Sequence, residues 1–235
     1  MNKKKIIGAI KATRPQFIIA YYIIGAGGLI IGLAQGFTLN IISAIYAFIA
    51  VGIAVAGINC RDEAYDWEKG YDIEYGGMGV IRDGTFEAKT LKRWGIILDV
   101  IAVILFIPPV FLFPLLLVPL IPGLIVMVGA NYLTEEIPLG HELMPPLSFL
   151  TVMLWIYLSQ GWIFTIPTIY FSIYSYLIVL TLLPYQDIGD READEKSGKK
   201  TLTVKLGLDR VGMLSIFIGL IASIFLYFSI LSLTV

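Results

Sequence analysis

Residues 39–72 read LNIISAIYAFIAVGIAVAGINCRDEAYDWEKGYD and join two chemistries in one segment. The first part, Leu39–Ile58, contains no charged residue. A bilayer core of about 30 Å needs about 20 mostly apolar residues per helix, and this run supplies them. From Asn59 onward the segment is rich in acids, and their spacing is helical. Asn59, Asp62, Glu63 and Asp66 stand at offsets of 0, 3, 4 and 7. If the helix continues past the membrane edge, all four share one face. The stretch therefore predicts a membrane helix that overruns the hydrocarbon and carries a polar, mostly acidic face into water.

The rest of the chain agrees with that reading. Of 235 residues, 57% are hydrophobic and 15% charged, against about 45–50% and 25% in soluble domains. A single soluble core of this size has no room for such an excess. Six further apolar stretches qualify as spans: Phe17–Leu33, Trp94–Pro109, Val110–Ala130, Pro145–Ser159, Phe164–Leu183 and Val211–Leu233. Pro108, Pro109, Pro114, Pro119 and Pro122 interrupt the Trp94–Ala130 region. Neighbouring helices satisfy the backbone groups that such kinks free. The expected fold is all-α: a polytopic transmembrane bundle of about seven helices around a central cavity open to the cytoplasmic side, with residues 1–235 forming one domain. The single cysteine excludes a disulfide framework and a thiolate-built zinc or iron–sulfur site. The composition equally excludes collagen-like, disordered and nucleic-acid-binding classes.

A formal net charge of -1 conceals a strong asymmetry. Lys3, Lys4, Lys5, Lys11 and Arg14 precede the first span. Arg61, Lys69, Arg82, Lys89, Lys92 and Arg93 lie between the second and third. Arg191, Lys196, Lys199, Lys200, Lys205 and Arg210 lie between the sixth and seventh. Together these are all 17 basic residues, on one side if the spans alternate. The opposite connections, such as Ala34–Thr38 and Gln160–Trp162, carry no charge. The positive-inside rule puts the N-terminus and the charged loops in the cytoplasm, with the chain multi-pass in the cell membrane. The first apolar stretch lacks a small-residue cleavage site and is expected to remain as a helix.

A second acidic segment follows the sixth span. Asp187, Asp190 and Asp194 share a helical face at offsets of 0, 3 and 7. Like charges at such spacings destabilise a helix by about 0.2–0.5 kcal/mol per pair, so two clusters at matching helix ends call for a compensating cation. The donors are carboxylates and an amide, which suit Mg²⁺, an ion that usually also takes waters and substrate phosphate oxygens. Lys199, Lys200 and Arg191 beside the second cluster, and Arg82 after the first, supply cations that a diphosphate requires.

The pattern Asn59-x-x-Asp62-Glu63-x-x-Asp66-x-x-x-Gly70-x-Asp72, and later Asp190-x-x-x-Asp194-x-x-x-Gly198-Lys199-Lys200-Thr201-Leu202-x-Val204-x-Leu206-Gly207, resembles the UbiA superfamily of intramembrane prenyltransferases. Within it the look is nearest to the 1,4-dihydroxy-2-naphthoate prenyltransferase branch. Gly140-His141-Glu142-Leu143 resembles that branch's Gly-Leu-Gly-Glu loop, and Arg14-Pro15 its usual Arg-Pro start. The resemblance implies Mg²⁺-dependent transfer of a prenyl group from a polyprenyl diphosphate to a small aromatic quinone precursor. It implies Asp62, Glu63, Asp66, Asp190 and Asp194 as metal ligands, with Asp66, Asp190 and Asp194 catalytic. Asn59, Arg14, Arg82, Lys199 and Lys200 would bind diphosphate, and Asp72, Asp187 and Asp99 would be accessory. Asp62-Glu63 stands where the branch usually has Asn-Asp, which changes charge and reach. Family members generally have nine transmembrane helices; with about seven here, a homo-oligomer would have to complete the lipid-facing wall.

Asp99 lies seven residues beyond Lys92, roughly 10 Å deeper along a helix, and either lines the cavity or bonds aromatic hydroxyl or indole groups. His141, the only histidine, reads as an exposed loop residue. Gly25, Gly27, Gly28 and Gly32 point to close helix packing, and Cys60 to small-residue packing. An ion-coupled transporter, or an inactive membrane interaction protein of the same ancestry, remains open as an alternative at this level. A CDP-alcohol phosphotransferase does not fit, because Asp83-Gly84 continues as Thr85-Phe86-Glu87.

The topology is open to direct test. Cysteines placed at Lys89 and at Gln160 should react with membrane-impermeant maleimide from opposite faces of sealed vesicles; reaction from the same face would overturn the alternation of spans.

Overall fold

The structure is a computed structural model that describes residues 3–71, 77–135, 139–197 and 201–234. Among them there are helices and turns and no strand. A short α1 (Lys3–Ala12) leads into α2 (Pro15–Ala34), α3 (Ile41–Lys69) and α4 (Ala88–Leu112). A tight turn at Pro114–Leu116 opens α5 (Leu117–Glu135), followed by α6 (Gly140–Leu158), α7 (Ile166–Ser197), the short α8 (Leu202–Leu206) and α9 (Leu208–Leu231). Six of these elements are long and apolar enough to cross a membrane. All seven spans expected from sequence fall on α2 to α7 and α9.

The seventh, α6, differs from the others for a packing reason. It is polar at its start and contains Pro145, Pro146, Ser148 and Thr151. Yet Met153, Leu154, Trp155, Ile156, Tyr157 and Leu158 are all buried in succession, so this part of the helix is covered on every side. It packs on α2, α3, α5 and α7. A helix enclosed by protein need not match lipid, and its hydropathy is not that of an outer span. The lipid-facing surface is carried instead by exposed side chains such as Ile97, Val100 and Ile104 on α4 and Ile216, Phe217 and Leu220 on α9.

The glycines of α2 make its approach to α6 and α7. A Cβ on Gly28 would lie 2.9 Å from Met153 Sδ, and one on Gly27 would lie 2.6 Å from Phe171 Cζ. Gly25 and Gly32 meet Ile156 and Trp162 in the same way. On the other flank, α3 and α4 cross where Gly57 faces Gly95: a Cβ on Gly95 would lie 2.7 Å from the Gly57 carbonyl oxygen. Dispersion and backbone proximity hold such contacts, since lipid supplies no hydrophobic drive between helices.

The proline-interrupted region resolves into two helices. α4 runs through Pro108 and Pro109 as far as Leu112, a few residues beyond the expected boundary, and the turn at Pro114 separates it from α5. The expected overrun of α3 past the membrane edge is present: it continues to Lys69 and ends at Gly70, whose φ of 87° suits glycine. α7 likewise continues to Ser197, through Asp187 and Asp194.

Two glycine changes separate packing from propensity. Gly95→Ala drives a methyl toward the α3 backbone and should cost about 1–3 kcal/mol, lowering Tm in detergent by several degrees. Gly212→Ala in α9 meets nothing within 4 Å and should leave stability equal or raise it by about 0.5–1 kcal/mol.

Candidate functional site

The overrun of α3 builds the first half of the site. Asn59, Glu63 and Asp66 are buried, at 8%, 2% and 8% exposure, while the Asp62 side chain keeps 33%. Arg14, between α1 and α2, reaches across to them: Nη1 donates to Asp62 Oδ2 at 2.8 Å and Nη2 to Glu63 Oε2 at 3.3 Å. The backbone of Arg14 is left-handed, with φ 46° and ψ 66°, and Pro15 begins α2 immediately after it. Such a conformation costs a non-glycine residue about 1–3 kcal/mol and persists where the surroundings hold it. Here they do. Asn59 Nδ2 donates to the Thr13 carbonyl at 2.8 Å, beside the guanidinium's own carboxylate partners. Burial works against the charged guanidinium, but attraction from Asp62, Glu63 and Asp66 outweighs it and raises the pKa above its already high ordinary value.

Glu63 is committed twice. Besides Arg14, it accepts the Met78 backbone N–H at 3.0 and 2.8 Å, which ties the 77–86 segment to α3. Asp62 also receives Asn131 Nδ2 from α5 at 3.3 Å. On the second half, Asp187 is buried at 7% exposure and lies 3.2 Å from His141 Nε2 at the start of α6. The adjacent Glu142 is 2% exposed and accepts the Leu202 N–H at 2.6 Å, docking α8 against α6. The α5–α6 hairpin thus touches both acidic segments, through Asn131 and through His141. Asp194 is half-buried on α7, and Arg82 is exposed near Gly79. Asp72, Lys199, Lys200 and the side chain of Asp190 lie outside the described residues. Among the described residues no group of three or more acids, histidines or cysteines forms a metal site by itself.

Sequence reasoning left Asn131 unassigned and named Glu142 only within the Gly140–Leu143 resemblance, without a role. Asn131 sits in an apolar context with no spacing signal, and each of the two finds its partner more than fifty residues away in sequence. His141 is half-exposed within the first turn of α6 and paired with Asp187, where an exposed loop residue was expected. Asp99 takes neither role considered for it. It forms a 2.6 Å ion pair with Arg61 Nε, both side chains at 14% exposure, and Arg61 also donates to the Met127 and Val128 carbonyls of α5. Cys60 packs with Ala12, Ala64, Val80 and Leu91, as its small size suggested.

Directly inward of the first cluster lies a partly open apolar cleft of about 60 Å³ between α2, α3, α4, α5 and α6. Ile58 and Met127 border it near the acids, and Tyr21, Phe106 and Trp155 give it aromatic walls. Phe106 and Trp155 meet edge to face at 4.7 Å between ring centroids.

Acids thus stand at one end of a bundle of membrane-crossing helices, over an apolar cleft with aromatic walls. Residues 20–235 match the model of the UbiA prenyltransferase family, and the chain belongs to that family of prenyl-transferring enzymes. Solved structures with the same fold include a UbiA homolog from Archaeoglobus fulgidus bound to GPP and Mg²⁺, at TM-score 0.74 and 15% identity, covering 96% of this chain and 78% of that one. A UbiA homolog from Archaeoglobus fulgidus bound to DMAPP and Mg²⁺ matches at TM-score 0.65 and 13% identity, with 96% and 85% covered. A structure described for digeranylgeranylglyceryl phosphate synthase in membranes matches at TM-score 0.67 and 20% identity, covering 94% and 76%. No curated protein matches significantly.

Removing Arg14 should expose how the first cluster is held. Arg14→Gln leaves Glu63 buried without its cation and should cost about 3 kcal/mol or more. Adding Glu63→Gln should return part of that loss, with a coupling above about 1 kcal/mol in a double-mutant cycle read by denaturation in detergent; simple additivity would show that the pair is not coupled.

Proposed function

We propose that this enzyme transfers a prenyl group from a polyprenyl diphosphate to a small aromatic acceptor of the quinone-precursor type, as in the dihydroxynaphthoate branch. The observation that carries the reading is the stacking of chemistry along one axis: carboxylates and an arginine at the membrane edge, and an apolar cleft directly inward of them. The finer acceptor assignment rests on the motif resemblance.

The donor set suits Mg²⁺ by its chemistry. It consists of hard carboxylate oxygens and an amide, with one histidine turned to a carboxylate. Asp62, Asp66, Asp190 and Asp194 would hold the ion. When bound, Mg²⁺ supplies positive charge against the diphosphate as it departs. Glu63 was expected as a further ligand; with Arg14 and the Met78 N–H already on it, we assign it the task of anchoring Arg14. Asn59, Arg14, Arg82, Lys199 and Lys200 are the proposed diphosphate contacts, with Asp72 and Asp187 beside them. Asp99 is assigned instead to holding Arg61.

The chain's own residues then do three things. Arg14 and the lysines offer charge-assisted hydrogen bonds to phosphoryl oxygens, which strengthen as the allylic C–O bond breaks and the electron pair leaves with diphosphate. The cleft would keep water from the cation-like carbon, and the rings of Tyr21, Phe106 and Trp155 line it. A carbon of the acceptor ring donates the pair that forms the new C–C bond, and the ring loses a proton. We place the acid-bearing ends in the cytoplasm and the seven long helices in the cell membrane, with the chain as one domain.

Purified protein incubated with radiolabelled geranyl or longer prenyl diphosphate, Mg²⁺ and a panel of acceptors should label a dihydroxynaphthoate in preference to a glyceryl phosphate lipid. The reverse preference would overturn the acceptor. Asp66→Asn and Asp190→Asn should each lower turnover at least 10²-fold with little change in Tm. They should also lose the rise in Tm that Mg²⁺ and prenyl diphosphate together give the unaltered enzyme.

A further inference from the structure

α1 has no part in the site described above, and its two faces are sharply different. Gly8 and Ala12 are buried, Ala12 completely. Ala12 packs with Cys60 and Ala64 of α3 and with Val80, and a Cβ on Gly8 would lie 3.1 Å from Phe86. One face of the helix is thus clamped to α3 and the 77–86 segment. On the opposite face Ile6, Ile7 and Ile10 are exposed, at 43%, 45% and 55%. At 100° per residue these three isoleucines span a single stripe, directly across from Gly8 and Ala12. Lys3, Lys4, Lys5 and Lys11 are exposed around that stripe, and the helix carries no acid.

The link to α2 fixes where α1 can lie. Only Thr13 and Arg14 separate α1 from Pro15, the first residue of a membrane-spanning helix, so α1 cannot leave the membrane edge. Between α1 and the 77–86 segment lies an open cavity of about 340 Å³ lined by Lys3, Lys4, Lys11, Asp83 and Thr85, with Ile7 at the same opening. Lys4 Nζ donates to the Asp83 carbonyl at 3.2 Å, and Asp83 is itself bonded by the Thr85 hydroxyl and N–H. Three lysines therefore border one opening, and among the described residues a single acid, Asp83, lines it with them.

We propose that α1 is an interfacial helix that docks on an anionic phospholipid leaflet: Ile6, Ile7 and Ile10 enter the acyl boundary, and Lys3, Lys4 and Lys11 gather lipid phosphates at the opening beside Asp83. Isoleucines left in water would form an apolar surface uncovered by any of the described residues, and lysines around them have the sign that an anionic headgroup layer attracts. Their methylene stems allow the ammonium groups to rise to headgroup level while the isoleucines sit lower. The docking is joined to the site by covalent continuity. α1 ends at Ala12; the next residue is Thr13, whose carbonyl holds Asn59, and then comes Arg14 on Asp62 and Glu63. The leaflet that seats α1 also sets the depth of that arginine.

The test uses the full chain in liposomes of phosphatidylcholine alone or with 30 mol% phosphatidylglycerol. A bimane label is placed at Ile7→Cys, and at Glu195→Cys as an aqueous control; Cys60, 1% exposed, stays unlabelled. In the anionic liposomes, acyl-brominated lipid should quench the Ile7→Cys label at least twice as strongly as in phosphatidylcholine alone, and aqueous iodide should quench it correspondingly less. Combining Lys3→Gln, Lys4→Gln and Lys11→Gln should abolish that difference between the two lipid mixtures while Tm in detergent is unchanged. Equal quenching in the two mixtures for the unsubstituted lysines, or iodide access equal to that at Glu195→Cys, overturns the proposal. Neither readout involves turnover, so the result stands apart from the assignment of the prenyl acceptor.

Discussion

A carboxylate cannot be left in hydrocarbon without a partner, and the architecture follows from meeting that constraint twice. α3 and α7 are the longest helices, at 29 and 32 residues, because each crosses the membrane and then continues to carry its acids clear of it. The first acidic face still ends up buried, under protein instead of lipid, and this is where Arg14 becomes indispensable. Its guanidinium bridges Asp62 and Glu63 at once, offsets one of their two charges, and sets the joint between α1 and α2. Charge balance and chain direction are thus decided at one residue.

α6 does for the interior what Arg14 does for the edge. Its start carries His141 and Glu142, which reach Asp187 and α8; its middle turns Ser148 and Thr151 toward the cleft; its end is wholly enclosed. The glycines of α2 permit the closeness of this contact, since any larger residue would separate the two helices by the width of a side chain. A rigid, close-packed hub beside a small cleft is a reasonable frame for chemistry in which a reactive carbon must be kept from water.

Much of this was legible in the sequence because length and charge act locally. Leu39–Ile58 has to be a span on composition, and the offsets from Asn59 to Asp66 make a helical face without reference to any other segment. The basic residues sort to one side by counting spans alone. What could not be read is pairwise and long-range. Nothing in the sequence around Asp99 names Arg61 as its partner, and nothing near Asn131 points to Asp62. His141 sits among loop-like residues, yet the α6–α7 packing brings it to a buried carboxylate. α6 itself illustrates the limit of hydropathy: among the long helices, the one most enclosed by protein is the one without a sufficiently apolar run for a membrane span.

The crossing of α3 and α4 has a consequence for how the chain enters the bilayer. Asp99 stands in the apolar part of α4, and an isolated acid there opposes insertion by about 2.5–3.5 kcal/mol on the translocon scale. Its counter-charge, Arg61, is on the helix synthesised just before, and the Gly57–Gly95 contact lets the two backbones close on each other. Pairing with Arg61 therefore offsets the cost that Asp99 adds to seating α4, otherwise a strongly apolar span. Because α3 precedes α4 in the chain, the partner for Asp99 is already made when α4 leaves the ribosome.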